Sequence, residues 1–262
     1  MRRIVCPGLY KRSMLLVDER NPRARALYEA IRPHLDESAL PDNLYLVFGG
    51  DGHLLAQMHQ HGAGPIYFGL NAGYLGFLLN DVNDPRAMAA AIMEGRWKAW
   101  NFPRLEMLAT CADGSEILDR AVNDIYVERM TGQTARLQVT IDGVLAVEKM
   151  VCDGLATATS LGSTAYSFSA GGVPCHPMVR GFHVTPICPH APRLSPFMLP
   201  ETSSVELEIL QAERRPVRAV CDGVDHGEVV RLQVRQANDN IHLAYVEGHH
   251  FTRTMMRKVL KS

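Results

Sequence analysis

Short apolar runs alternate with helix-compatible segments through the first hundred residues. Residues 14–17 predict a strand, and Asn21-Pro22 then offers an N-cap followed by proline at the first helical position. Leu27, Tyr28 and Ile31 recur at helical spacing until Pro33 stops the pattern. Residues 44–48 predict a second strand, which runs straight into Gly49-Gly50-Asp51-Gly52, and a helix over about 52–60 follows. Residues 66–70 predict a third strand, ending in a second glycine-punctuated loop, Asn71-Ala72-Gly73-Tyr74-Leu75-Gly76. Asp84-Pro85 caps a further helix that Gly95 ends. Strands and helices alternating through short loops predict a parallel sheet covered by helices. Ligands of such sheets sit beyond the carboxyl ends of the strands, where both glycine loops fall.

The pattern changes after Pro103. Leu105, Met107, Ala109 and Cys111 alternate with their neighbours as in a half-buried strand. Asp113-Gly114, Asp142-Gly143, Asp153-Gly154 and Asp222-Gly223 punctuate short β-rich runs, and residues 140–145 have the composition of a tight hairpin. Runs at 205–209, 217–221, 229–234 and 241–246 continue the theme. One interruption, residues 162–172, predicts a capped short helix closed by glycine, and residues from about 249 to 260 predict a terminal helix. No internal repeat or low-complexity segment appears. An α/β half precedes a β-rich half.

Composition adds boundaries. With 262 residues, 47% hydrophobic and 21% charged, the chain can bury a sizeable core. Its formal charge of −1 gives no long-range field towards nucleic acid or an anionic membrane. Affinity for an anionic ligand must come from local geometry. Six cysteines (Cys6, Cys111, Cys152, Cys175, Cys188, Cys221) are scattered singly, without metal spacing, so reduced thiols in a cytoplasm are expected. Residues 1–10 are basic but lack an apolar core of the kind that secretion signals carry.

The first glycine loop carries the chemistry. A strand ending in glycines at a helix N-terminus presents free backbone N–H groups and the positive end of the helix dipole, which together bind anions. This loop has no lysine and offers a carboxylate instead. Asp51 either holds a metal ion that accompanies phosphates or accepts a proton from an attacking hydroxyl, and both roles point to phosphoryl transfer. The bland alternative is an aspartate that only caps its helix. Other candidates are weaker: His59 and His61 lie two apart beside Gly62, His249-His250 is similar, and Gly162-Ser163 is not part of a G-x-S-x-G elbow. Lys11-Arg12 and Arg214-Arg215 are short basic pairs of the kind that sit in solvent.

At this point the chain resembles the NAD kinases. The resemblance is carried, in order, by Gly49-Gly50-Asp51-Gly52, by residues 69–78 (Gly-Leu-Asn-Ala-Gly-Tyr-Leu-Gly-Phe-Leu), by Asn123-Asp124, by Asp153-Gly154-Leu155 with Gly162-Ser163-Thr164-Ala165-Tyr166-Ser167 and Ser169-Ala170-Gly171-Gly172, and by residues 185–190 (Thr-Pro-Ile-Cys-Pro-His). It implies a Rossmann-like α/β domain over 1–102 and a β-sandwich-like domain over 103–246, with the terminal segment 247–262 returning to the first. It further implies NAD bound in the cleft between them. The family moves a phosphoryl group from ATP, or in some members polyphosphate, to the adenosine ribose 2′-hydroxyl of NAD, with a divalent metal such as magnesium, as homodimers or homotetramers. By matched position, Asp51 is the catalytic aspartate, Gly49, Gly50 and Gly52 form its phosphate loop, and Gly52 lies against the nucleotide. Phe77 is an aromatic near the nucleotide, Asn123 and Asp124 contact adenosine, Thr164, Ala165, Tyr166 and Ser169 surround adenine and ribose, and Asp153 lies towards the nicotinamide.

Three positions depart from the family pattern. Asp124 stands where glutamate is usual, Thr159-Ser160-Leu161 replaces threonine-proline-threonine and brings apolar bulk near the nucleotide, and Val151 replaces an arginine found in some NAD-selective members. Two rival readings remain: a lipid or other small-molecule kinase sharing the glycine-rich loop, and a catalytically silent nucleotide-binding or regulatory protein. The first has no account of Asn123-Asp124 or of residues 162–172, and the second rests on the Asp124 and Leu161 departures, with an intact Asp51 against it.

Overall fold

A computed structural model describes residues 12–73 and 76–259. Cys6 and the rest of residues 1–11, Tyr74 and Leu75 of the second glycine loop, and Leu260 of the expected terminal helix lie outside the described residues. The chain forms two compact units: the described residues up to Phe102 together with those from Asn240 onward, and Pro103–Asp239.

In the first unit, β1 (Met14–Val17), α1 (Pro22–Ile31), β2 (Leu44–Gly49), α2 (Asp51–His61), β3 (Ile66–Asn71), β4 (Asn80–Asp81) and α3 (Pro85–Met93) follow one another. The local causes are those the sequence advertises. The Asn21 side chain accepts from the Arg23 N–H at 3.0 Å ahead of Pro22. Asp84 accepts from the N–H groups of Arg86 and Ala87 ahead of Pro85, satisfying donors that a helix start leaves open. The strands are parallel: Met14 pairs with Tyr45, and Leu44 with Ile66. Every residue of β2 is buried, as a strand covered on both faces requires. Phe48, Phe68 and Leu70 pack with Ile31, Met88 and Ile92 in one apolar core. Both glycine loops leave the carboxyl ends of their strands, β2 and β3.

In the second unit β5 (Trp97–Thr110), β6 (Glu116–Ala121), β7 (Asp124–Arg129), β8 (Ala135–Ile141), β9 (Val144–Cys152), β10 (Gly154–Thr159), the one-turn α4 (Tyr166–Ser169), β11 (Phe182–Ile187), β12 (Phe197–Leu199), β13 (Ser204–Ile209), β14 (Val217–Cys221), β15 (Val224–Val229) and β16 (Arg231–Val246) succeed one another, the first residues of β5 and the last of β16 belonging to the first unit. A six-stranded antiparallel sheet has the order β12-β11-β10-β7-β14-β15. The residues of β9, β8, β13 and β16 form a second antiparallel array. Ile125, Val127, Leu155 and Val184 from the first, with Leu137, Val139, Leu207 and Val234 from the second, make one core. This is the sandwich packing that alternating patterns produce.

Several sequence expectations meet corrections here. Residues 229–234 and 241–246 do not form two strands: they belong to the end of β15 and to the single sixteen-residue β16. Within the first unit, the end of β16 pairs in parallel with β3, His242 opposite Ile66. That pairing assigns Asn240–Val246 to the first unit instead of the β-rich one. Asp153-Gly154 is not a turn. Gly154 opens β10, and a Cβ there would meet the Val127 carbonyl oxygen at 2.0 Å, so close strand approach explains the glycine. Residues 162–172 hold the end of a 3-10 turn, Leu161–Thr164, and then the expected short helix, α4, closed by Gly171 (φ 95), although no side chain caps its start. The terminal helix, α5, runs Phe251–Val259. By contrast, Asp142 (φ 52) and Gly143 (φ 76) make the tight hairpin turn between β8 and β9 that the sequence suggests. Among the described residues no helix is long and apolar enough to cross a membrane.

Candidate functional site

In the first unit Asp51 is the first residue of α2, and Gly50, the N-cap, makes no side-chain cap. The carboxylate does not simply cap its own helix. It reaches the second glycine loop, where Oδ2 accepts from the Phe77 N–H at 2.6 Å and Oδ1 from the Leu78 N–H at 3.0 Å. These bonds fix the carboxylate in place. A carboxylate oxygen accepts more than one bond, so a hydroxyl or a cation can join these partners. Gly50 and Gly52 have open space where a Cβ would sit and no positive φ, whereas a Cβ on Gly69 would meet Leu79 at 2.3 Å. Packing therefore explains Gly69, while the bare backbone at Gly50 and Gly52 leaves room for an approaching ligand. Among the described residues of this unit, the polar atoms buried without a hydrogen-bond partner include His53 Nε2 and the Tyr245 hydroxyl. Burial and the Asp51 charge both push the Tyr245 hydroxyl's pKa up.

In the second unit the start of β7 is the focus. Asn123 and Asp124 enter the strand, and Asp124 is 4% exposed. Burial first, and then the charge of Asp222, push the Asp124 carboxyl up to about 7, opposed by a bond from the Tyr166 N–H. Asn123 Oδ1 is buried and has no partner among the described residues. Gly162 lies against the Asn123 backbone, where a Cβ would fall 2.2 Å from its carbonyl oxygen. The Tyr126 and Tyr166 rings stand 4.5 Å apart, tilted by 40°. Asn123, Asp124 and Tyr166 are thus gathered in one place, and Ala165 caps the one-turn helix that begins with Tyr166. Thr164 is half-buried in the preceding 3-10 turn, and Ser169 is exposed at the helix end. Asp153 turns elsewhere: Arg129 Nε reaches its Oδ1 at 2.7 Å. Leu161, the apolar departure from the family pattern, is 8% exposed and tucked inward.

Two participants lie beyond sequence reasoning. Arg129 carries no motif, and only its pairing across the sheet from Asp153 reveals it. Asp222 reads in the sequence as turn chemistry alone. Its carboxylate accepts from the N–H groups of Val122 (2.6 Å), Asn123 (2.8 Å) and Asp124 (3.1 Å). Among the described residues no three His, Cys, Asp or Glu side chains converge as a metal cage.

Comparison with solved structures shows the same fold. Yeast NADH kinase complexed with NADH superposes with a TM-score of 0.83 at 23% identity, covering 97% of this chain and 89% of that one. An NAD kinase from Archaeoglobus fulgidus in complex with ATP gives 0.76 at 21% identity, covering 96% and 99%. The chain therefore shares the fold of these two structures. The model of the ATP-NAD kinase C-terminal domain matches residues 122–243. NAD kinase of Brucella suis biovar 1 is 33% identical over 79% of this chain and 80% of its own length. NAD kinase of Rickettsia typhi is 32% identical over 89% and 92%. The chain belongs to the NAD kinase family.

Proposed function

We propose that this member of the NAD kinase family makes NADP by transferring the terminal phosphoryl group of ATP, or of polyphosphate, to the adenosine ribose 2′-hydroxyl of NAD. The observation that carries the reading is the start of β7, where a buried acceptor without a partner, Asn123 Oδ1, stands beside a buried carboxyl and a tyrosine pair. An orphaned buried acceptor costs about 1–3 kcal/mol. A donor group of adenosine would remove that cost, the Asp124 carboxylate would accept from a ribose hydroxyl, and the tyrosines would flank the base. Thr164, Ala165 and Ser169 would contribute from the turn and short helix around Tyr166.

Phosphoryl transfer needs positioning and charge neutralisation more than a strong base. Asp51, already fixed by two N–H bonds, would orient the 2′-hydroxyl and take its proton late in the transfer. The open backbone at Gly50 and Gly52 leaves room for phosphate oxygens beside the N-terminus of α2. The hard carboxylate oxygens of Asp51 would hold a magnesium ion, which would supply charge neutralisation beside the donor phosphates. A cytoplasmic homodimer or homotetramer completes the proposal, as does a role for Phe77 near the nucleotide and for Asp153, set by Arg129, towards the nicotinamide side. Light scattering would give the assembly.

The test is a coupled assay crossing ATP and polyphosphate with NAD and NADH in the presence of magnesium. NADP or NADPH must form with one donor. Tight NAD binding by calorimetry with no product from any pairing would refute the reading and favour a silent binding protein.

A further inference from the structure

We infer that Asp222 is a positioning residue for the nucleotide: its carboxylate gathers the Val122, Asn123 and Asp124 N–H groups and so sets where the Asn123 and Asp124 side chains meet adenosine. The inference rests on the NAD-binding reading of the start of β7.

The backbone of residues 122–124 is held from two sides. From one side come the three bonds to Asp222, and the Asp222 N–H in turn donates to the Asp124 carbonyl at 3.0 Å. From the other side the Thr159 hydroxyl donates to the Val122 carbonyl at 2.6 Å, and the Thr159 N–H donates to the Asn123 carbonyl at 2.9 Å. Gly162 closes against the same peptide. These peptide groups are therefore engaged within the protein, and what this segment has left for a ligand is its side chains, Asn123 Oδ1 foremost.

A turn alone would not need this carboxylate. Asp222 (φ 47) and Gly223 (φ 82) form the β14–β15 turn, and asparagine or glycine adopts that backbone as readily. Only a carboxylate presents two acceptor oxygens and no donor to three converging N–H groups. The matching turn at Asp142-Gly143 sharpens the contrast. There the carboxylate accepts from the Ser203 hydroxyl and the Ser204 N–H, which stitches the hairpin to a neighbouring segment bearing none of the predicted site residues. At Asp222 the stitched segment is the one that carries the nucleotide contacts.

Steady-state NADP formation by the full chain provides the test, with Asp222→Asn compared against Gly223→Ala. Asp222→Asn keeps the shape of the side chain but turns an NH2 group towards N–H donors. It is expected to raise the KM for NAD tenfold or more while kcat stays within threefold. Gly223→Ala strains the same turn and spares the carboxylate; its melting temperature should fall while its KM for NAD stays within twofold. An unchanged KM in Asp222→Asn, or an equal rise in Gly223→Ala, would overturn the inference. Should Asp222→Asn not fold, amide hydrogen exchange on the unaltered chain decides the matter. The Val122, Asn123 and Asp124 amides should exchange at rates typical of core strands, and free exchange at those three positions would overturn it. Absence of NADP formation by the unaltered chain would instead refute the kinase reading, and the exchange measurement would still judge the hold of Asp222 on this segment.

Discussion

Gly162→Ala puts the close approach at the start of β7 to the test. The added Cβ would lie 2.2 Å from the Asn123 carbonyl oxygen, 2.4 Å from its Cα and 2.5 Å from its carbonyl carbon. All three are backbone atoms, so no side-chain rotation relieves the clash. Restoring ordinary separation means parting the two segments by roughly 1 Å, an overpacking strain worth about 1–3 kcal/mol. The same movement stretches the Thr159 N–H bond to the Asn123 carbonyl, now 2.9 Å, beyond hydrogen-bond range, which adds about 1 kcal/mol. The total, about 2–4 kcal/mol, corresponds to a melting temperature lower by roughly 5–15 °C. Because the displaced residue is Asn123, the KM for NAD should rise at the same time, by about tenfold for each 1.4 kcal/mol by which binding weakens. Differential scanning fluorimetry and NAD titrations of initial rate measure the two effects. A variant that melts within about 2 °C of the parent and keeps its KM would show that Gly162 does not abut Asn123, and the site as built would fall.

Further substitutions separate the roles. Asp51→Asn should cut NADP turnover by about 10²–10⁴-fold, the usual contribution of a positioned proton acceptor. It should cost a few degrees of melting temperature, because the amide group cannot accept from both Phe77 and Leu78. Turnover within tenfold of the parent would remove Asp51 from the chemistry. Tyr245→Phe deletes a buried hydroxyl that has no partner, so the unliganded chain should melt about 2–4 °C higher, for roughly 1 kcal/mol gained; an unchanged or lower melting point contradicts that burial. Asp124 carries a pH signature. Its carboxyl shifts from 3.8 to about 7 on folding, so the folded chain holds the proton more tightly. The stability this contributes is complete below the unfolded value and is lost as pH rises through the folded one, between about 4 and about 7. Melting temperatures of the unliganded chain should show a falling component over that window that Asp124→Asn abolishes. The KM for NAD should move the other way, improving as the carboxylate ionises, and equal melting slopes for the two chains would refute the assignment.

Much of this architecture is written in local pattern. The strand–glycine junctions at Gly49 and Gly73 are visible because apolar runs stop at residues that need no side chain, and helix starts at Pro22 and Pro85 follow from their caps. Those signals act over three or four residues. What local pattern does not carry depends on residues far apart in the chain. Asp222 meets N–H groups some hundred positions earlier, and an Asp-Gly pair announces a turn whichever way the carboxylate points. Gly154 misleads for the same reason, because its glycine answers a neighbouring strand and not a bend. The polar stretch from Gln236 to Asn240 resembles a break between strands. It nonetheless continues as one strand within β16, which pairs with β5 as well as with β13 and β3, and side-chain hydrophobicity does not report such pairing. At the candidate site the ordered motifs name the residues, but nothing in them tells that Asp51 bonds to Phe77 and Leu78.

Those two bonds have an evolutionary consequence. A carboxylate that staples one loop to another cannot be retuned by changes in its own loop alone. Insertions, deletions or bulkier residues next to Phe77 and Leu78 would drag the Asp51 carboxylate with them. Drift in what this enzyme accepts should therefore be slow in that segment and freer at positions whose backbone Asp51 does not hold. A library randomising the exposed α2 positions Ala56, His59 and Gln60 would be expected to return active clones far more often than one randomising the peptide that donates to Asp51.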